Sequence, residues 1–199
     1  MEDKSDIEIL KGFAKSTNRT IVAKEFPYPR TGVHTTQKYK RMVCIPNNQE
    51  KTSFFVWFND AYSKIGQQVI FSGAFIPISP RIKSKIYIRN SIIFDKINFF
   101  AKANKLGNRD FDARATISGE MDAETKRLLS HSRLQNQIIK ALEIESYTCI
   151  SINEFKLDFV PELNHTSYFS IINRNGWDID KNTIENTFTR IEKIRDIIN

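Results

Sequence analysis

The chain has few of the residues that build covalently linked or metal-held folds. It contains two cysteines and three histidines in 199 residues, and none of them stands in the spacing of a zinc site. Cys44 and Cys149 each lie in an apolar run, where a thiol behaves as a small hydrophobe. The sequence therefore predicts a fold held by its own hydrophobic core, with no metal and no cofactor.

Long apolar runs are also absent. A long uncharged stretch, residues 67–80, contains Gly73, Pro77 and Pro80 and is shorter than the roughly 20 apolar residues that a spanning helix needs. The N-terminal segment is charged and lacks the apolar core of a signal peptide. We therefore expect a cytoplasmic protein without a transmembrane segment.

Enzyme signatures are missing as well. The sequence has no phosphate loop, no G-x-S-x-G elbow, no H-E-x-x-H helix and no dinucleotide fingerprint. Asp110 and Asp112 would lie on one face of a strand, where two carboxylates can ligate a divalent cation, but Asp112 can equally pair with Arg114. The sequence favours a non-catalytic protein and leaves open an enzyme whose site is assembled from distant residues.

Charge is distributed unevenly along the chain. The net charge is about +10 over residues 1–110 and about −3 over residues 111–199. A basic region suits an anionic partner, although the two regions could also attract each other. We predict a basic, aromatic-rich, β-dominated half over residues 1–105 and a strand-helix-hairpin-helix half over residues 106–199, with one continuous domain as the alternative.

Hydrophobic periodicity predicts the elements of the first half. Apolar residues at helical spacing predict helices, and alternating or continuous apolar runs predict strands. The predicted helices cover residues 6–17 and 90–103, and the predicted strands cover residues 20–25, 39–45, 52–58, 68–75 and 83–89.

The second half is organised around the segment 111–142. Alternation predicts a strand over residues 111–117 that ends at Gly119, followed by a helix capped by Asp122 and broken near Ser130. Further patterns predict a hairpin over 146–152 and 155–160, a strand over 167–172 and a helix over 180–198. Together the elements predict an α+β fold: mostly antiparallel sheets with an N-terminal helix, a central helix and a long C-terminal helix.

A short pattern in this half resembles that of a bacterial family of uncharacterised proteins. Lys105-x-Gly107 precedes Phe111-Asp112, the predicted strand ends at Gly119, and Leu128-Leu129-Ser130 follows. The family carries a G…FD…V.G…LL(S/T) stretch, a hairpin and a closing C-terminal helix, often behind membrane spans. The resemblance covers about residues 86–198, implies no reaction or ligand, and makes Phe111, Asp112, Gly119 and Leu129 fold-determining positions.

A basic stripe is the feature most suggestive of binding. Five residues of one parity would lie on one face of a strand, while Ile82, Ile86 and Ile88 would lie on the other. Such a face can follow a phosphate backbone, with its aromatic ring available for stacking. A solvated outer face of a sheet, or lysines that protect an edge strand, would give the same pattern. The candidate anion-binding residues are Arg81, Lys83, Lys85, Tyr87 and Arg89.

Aromatic residues are frequent in the first half and provide a second functional hint. Most of them serve a core, but exposed ones would mark a protein-binding face. We therefore expect a non-catalytic bacterial interaction protein with a protein partner. The alternative is a protein that binds nucleic acid or an anionic surface through the basic stripe.

Overall fold

The computed structural model of the chain describes residues 5–29, 37–64, 67–79, 81–92 and 104–199. These residues form an α+β fold. Its helices are α1 (Asp6–Ser16), α2 (Arg109–Arg114), α3 (Ala123–Leu129), α4 (Ser132–Leu142), α5 (Lys181–Ile198) and a 3-10 turn (Pro161–Leu163). Its strands are β1 (Val22–Pro27), β2 (Tyr39–Pro46), β3 (Phe54–Lys64), β4 (Gln67–Ile78), β5 (Ile86–Asn90), β6 (Ala115–Ser118), β7 (Thr148–Ile152) and β8 (Ser167–Asn173).

All eight strands belong to one antiparallel sheet. Its order is β1-β2-β3-β4-β8-β7-β5-β6. The first four strands are sequential neighbours, and β8 then joins β4 to β7, β5 and β6. At this seam a Cβ on Gly73 would lie 2.2 Å from the carbonyl oxygen of Ile171, so the close approach of β4 and β8 requires glycine there.

The two faces of the sheet are covered differently. One face presents buried aliphatic and aromatic side chains to the α-helices, and this is the larger core. The other face carries a second cluster that includes Phe54, Phe71 and Phe75, which Leu157, Val160 and Leu163 of the β7–β8 connection cover. The apolar character of β3 on both faces, which the sequence predicts, follows from this position between two covers.

Most of the predicted elements are confirmed. Ser5 caps α1, Asp122 caps α3 and Asp180 caps α5 through side-chain oxygens that accept backbone N–H groups. The central helix is indeed broken near Ser130, where α3 ends. The helix predicted over residues 90–103 lies almost wholly outside the described residues.

The strand predicted over residues 111–117 is wrong in its first part. Residues 109–114 form helix α2, and the strand begins only at Ala115. The side chain of Asn108 caps α2 by accepting the N–H groups of Asp110 and Phe111. A capped helical turn accommodates the same short alternation, because its single buried residue is Phe111. The strand-face argument for paired carboxylates at Asp110 and Asp112 is therefore also wrong.

The hairpin predicted over residues 146–160 is wrong in its second strand. Strand β7 forms, but residues 155–160 do not pair with it, because β5 and β8 occupy its two edges. Phe155 and Leu157 instead pack on the second core cluster. The strand predicted over 167–172 is confirmed as β8.

The two predicted halves share the sheet and are joined by their tryptophans. The indole Nε1–H of Trp57 donates to the carbonyl of Asp178 over 2.7 Å, and that of Trp177 donates to the carbonyl of Phe58 over 3.1 Å. Division into two domains stays a prediction. Among the described residues, no helix is long and apolar enough to cross a membrane.

Candidate anion-binding surface

Residues 81–85, the basic segment, lie just before β5 and show the alternating burial that is typical of extended backbone. The predicted strand over 83–89 is wrong at its start, because ladder pairing begins only at Ile86. The alternation of side chains is nevertheless present: Ile82 and Ser84 are buried, whereas the three basic residues between and beside them are exposed. The segment is thus held like a strand without a neighbouring strand.

Side chains replace the missing ladder at the start of the segment. The hydroxyl of Ser167 accepts the N–H of Ile82 over 2.7 Å and donates to its carbonyl over 3.0 Å. The Asn153 amide donates to the carbonyls of Ile82 and Ser84. Because buried backbone groups need partners, these contacts fix the backbone of the basic segment.

The end of the segment is fixed by the turn before α3. The backbone N–H of Lys83 donates to a carboxylate oxygen of Asp122, and the N–H of Asp122 donates to the Ser84 hydroxyl over 2.8 Å. Hydrogen bonds from Thr125, Lys83 and Ser84 lower the pKa of Asp122 to about 2. Gly119, at φ +108°, lies so close that a Cβ there would be 2.1 Å from the Lys85 carbonyl oxygen.

Arg81, Lys83 and Lys85 project outward from this fixed backbone. All three are exposed, and within the described part of the chain no carboxylate pairs with any of their side chains. Extended backbone advances about 3.3 Å per residue, so alternate side chains leave it about 6.6 Å apart. The surface therefore offers an evenly spaced row of unpaired cations.

A cavity of about 350 Å³ opens beside this row. Arg81 and Lys83 line one side, and Lys156 and His165 of the β7–β8 connection line the other. Lys156 pairs with Asp158 across 2.8 Å at an exposed position, and Asp158 also lines the cavity. Arg81 and Lys83 therefore supply the net positive charge, while Lys156 and His165 approach from a separate part of the sequence.

The wall opposite the basic segment contains unusual backbone. Four described non-glycine residues have φ between +53° and +62°, and two of them, Asn153 and His165, line this cavity. The left-handed region is tolerable for asparagine and costs more for most other side chains. At Asn153 this conformation turns the chain off β7 and aims its amide at the basic segment, so the strained position builds the site.

Tyr87 and Arg89 lie apart from the other three predicted residues. Both are half-buried on β5, where the Arg174 guanidinium carbon lies 5.3 Å from the centre of the Tyr87 ring. Burial raises the pKa of Tyr87 to about 12, and Arg89 donates to the Asn90 carbonyl over 3.0 Å. The structure brings together Arg81, Lys83 and Lys85. The ring of Tyr87, however, is already in contact with Arg174.

The hydroxyl groups of Ser167 and Tyr168 beside the cavity already form hydrogen bonds within the protein. Ser167 is bonded to Ile82 in both directions, and the Tyr168 hydroxyl accepts the N–H of Phe155 and donates to its carbonyl over 2.7 Å. Burial raises the pKa of the Tyr168 hydroxyl. Among the described residues, no group of three or more metal-ligating side chains occurs. The arrangement can hold an anion by charge and hydrogen bonds.

Several residues of the surface have no recognisable signal in the sequence. Lys156 and His165 stand far from the basic segment in sequence, and only the pairing of β7 with β8 brings them near it. Ser167 and Asn153 carry no motif. The one available signal was Asn153 between two β-rich runs, which suggests a left-handed turn residue.

The chain matches no family model, and no curated protein or solved structure is significantly similar to it. The resemblance to a bacterial family therefore stays a prediction. Its four positions do have structural roles: Phe111 and Leu129 are buried, and the Asp112 carboxylate accepts the N–H groups of Leu106 and Gly107. Gly119 provides the close approach to Lys85.

Proposed function

We propose that the protein is a non-catalytic binding protein that holds the phosphate backbone of single-stranded nucleic acid on Arg81, Lys83 and Lys85. The observation that supports this most is a row of three exposed cations, without ion-pair partners among the described residues, on a backbone fixed by buried and partly buried side-chain hydrogen bonds. Because the backbone is ordered before binding, less conformational entropy is lost when an anion arrives.

The shape of the surface favours an extended strand over a lipid bilayer. Arg81 and Lys83 border a cavity, and His165 and Lys156 approach it from the opposite wall. A chain of phosphates can enter such a concave surface, whereas headgroups of a flat bilayer reach only its rim. Binding of anionic vesicles with no binding of oligonucleotide would contradict the proposal.

The surface favours binding through phosphate rather than through bases. Tyr87 is covered by Arg174, and Phe155, which lines the cavity, stacks on Phe71 with ring centres 4.0 Å apart. These rings are not free to stack on bases. We therefore expect little sequence preference and a strong dependence on salt.

Fluorescence anisotropy with labelled oligonucleotides tests this function. We expect the affinity for a single-stranded oligonucleotide to fall linearly with salt on logarithmic axes, with a slope of about −0.7 for each phosphate contact. Lys83→Glu combined with Lys85→Glu removes two contacts, so the slope should become shallower by about 1.4 and the affinity at low salt should fall at least tenfold.

A matched control separates a local site from the general basic charge. Lys181→Glu with Lys193→Glu changes the net charge equally on helix α5, where both lysines are exposed. This variant should retain the wild-type slope. Equal losses in both variants, or no binding of the wild type at low salt, would overturn the proposal, and oligonucleotide cleavage would favour the enzyme alternative.

A further inference from the structure

Strand β1 forms an open edge of the sheet. All six of its residues are exposed, and among the described strands β2 is its single neighbour in the sheet order. Two of its large apolar side chains are unusually accessible: Val22 is 50% exposed and Phe26 is 51% exposed. An edge of this kind can accept another strand.

The direction of the backbone groups follows from one hydrogen bond. The N–H of Tyr28 donates to the carbonyl of Lys38 over 2.9 Å, in register with the β1–β2 ladder. Hydrogen-bonded pairs alternate along an antiparallel ladder, so even-numbered residues of β1 bond to β2 and odd-numbered residues face outward. Ala23 and Glu25 therefore direct N–H and C=O groups to the open side, and Pro27 has only C=O to offer.

The side chains beside this edge form a charge pattern. Val22, Lys24 and Phe26 lie on one face, because they are separated by two residues each. Glu25, on the other face, pairs with Arg41 of β2, whereas Lys24 has no partner among the described residues. Along the edge, one face of β1 thus presents an apolar, a cationic and an apolar side chain at alternate positions.

A second copy of this chain is a poor occupant of the edge. If two β1 strands paired antiparallel with Val22 opposite Phe26, Lys24 of each copy would face Lys24 of the other. Like charges in directly opposite positions destabilise a strand pair. An acidic residue in that position would instead be attracted to Lys24, and apolar residues two positions away on each side would contact Val22 and Phe26.

We propose that β1 adds an extended acidic segment of another protein as a ninth, antiparallel strand. The incoming strand carries an apolar residue, an acidic residue and an apolar residue at alternate positions. Its backbone bonds to Ala23 and Glu25, and its side chains lie against Val22, Lys24 and Phe26. These pairs lie at non-hydrogen-bonded positions, where side chains come closest.

A pair of labelled peptides tests the charge pattern. In one peptide, valine, glutamate and valine occupy alternate positions in that order, and threonine occupies the positions between and beside them. The other peptide has lysine in place of the glutamate. In anisotropy titrations at low salt, wild-type protein should bind the glutamate peptide roughly fivefold more tightly than the lysine peptide. Lys24→Glu should reverse this preference, and an unchanged preference in that variant would overturn the proposal.

Backbone pairing is tested by a second pair of variants. Glu25→Pro removes an outward N–H while leaving the bonds between β1 and β2, so peptide binding should be lost and the melting temperature nearly kept. Glu25→Ala retains the N–H and should retain binding. Equal binding by both variants would exclude strand addition.

The basic segment is the competing location for an acidic peptide. Lys83→Glu with Lys85→Glu should leave peptide binding unchanged, since these residues belong to the proposed nucleic-acid surface. Loss of peptide binding in this variant, with binding retained in Lys24→Glu, would move the peptide to the basic segment and overturn the proposal for β1.

Discussion

Gly119 shows how a single residue supports the basic segment. Its φ of +108° is unfavourable for residues with a Cβ, and a Cβ there would overlap the Lys85 carbonyl oxygen at 2.1 Å. Neither effect depends on a flexible side chain that could move aside. The position therefore connects backbone geometry to the placement of the cations.

We expect Gly119→Ala to lower the free energy of unfolding by at least about 2 kcal/mol, because it combines backbone strain with a steric overlap. Urea denaturation measures this loss. Gly12→Ala is the matched control: a Cβ at Gly12 meets nothing within 4 Å, and in helix α1 alanine should stabilise by about 0.5–1 kcal/mol. A Gly119→Ala variant as stable as wild type, or stabilised like Gly12→Ala, would refute the strain argument.

At the scale of elements, helix α3 and the basic segment share one carboxylate. Asp122 caps α3 through the N–H of Thr125 over 2.7 Å and also accepts the N–H of Lys83. Its pKa is lowered from 3.8 to about 2, first by hydrogen bonds from Thr125. The cap thereby links helix stability to the position of the cations.

The lowered pKa of Asp122 determines the direction in which the stability of the fold changes with pH. Unfolded chains bind a proton at Asp122 near pH 3.8 and the folded chain only near pH 2, so the stabilisation is complete above the first value and is lost as the pH falls through the second. Asp122→Asn keeps a capping side chain but cannot titrate.

We therefore expect wild-type protein to lose more stability than Asp122→Asn between about pH 5 and about pH 2.5 in urea unfolding. Asp110→Asn removes an exposed carboxylate at the start of α2 and serves as the control for general charge effects. Identical pH profiles for wild type and Asp122→Asn would show that the cap does not titrate as described.

Elements differ in how far their sequences predict them. Helices α1 and α5 have long apolar stripes and side-chain caps, and both were predicted nearly to the residue. Residues 155–160 have the alternation of a strand, but an alternating segment also packs as an irregular cover when both edges of the preceding strand, here β7, are already paired. Local patterns do not contain the sheet order that decides between these outcomes.

The candidate surface can be predicted only in part, because local sequence patterns do not contain the sheet order. The alternation of basic residues at 81, 83 and 85 can be read locally, and their exposure agrees with it. The engagement of Tyr87 by Arg174, and the approach of His165, depend on contacts between β5, β7 and β8. Such contacts are set by tertiary pairing across long sequence separations, which periodicity does not encode.

At the scale of the whole molecule, β8 is the strand that unites the sheet. It pairs with β4 on one side and β7 on the other, and α5 packs on strands β3, β4 and β8. Trp57 and Trp177 add two hydrogen bonds between β3 and the residues that follow β8. Unfolding either half would expose apolar surface of the other.

We expect one cooperative unfolding transition, in which tryptophan fluorescence and far-ultraviolet circular dichroism change at the same urea concentration. Trp57→Phe leaves the Asp178 carbonyl without its indole donor and should lower the stability by about 1–3 kcal/mol while keeping a single transition. Two separated transitions would instead support independent domains over residues 1–105 and 106–199.

The fixed backbone of the basic segment also makes it a natural scaffold for redesign. Ile82 and Ser84 supply the inward contacts, together with Ser167 and Asn153, while the three outward side chains form no hydrogen bond or ion pair within the described part of the chain. Replacing the outward side chains by acidic or aromatic ones should therefore change what the surface recognises without altering its shape, so that ligand choice and architecture can vary independently in this part of the protein.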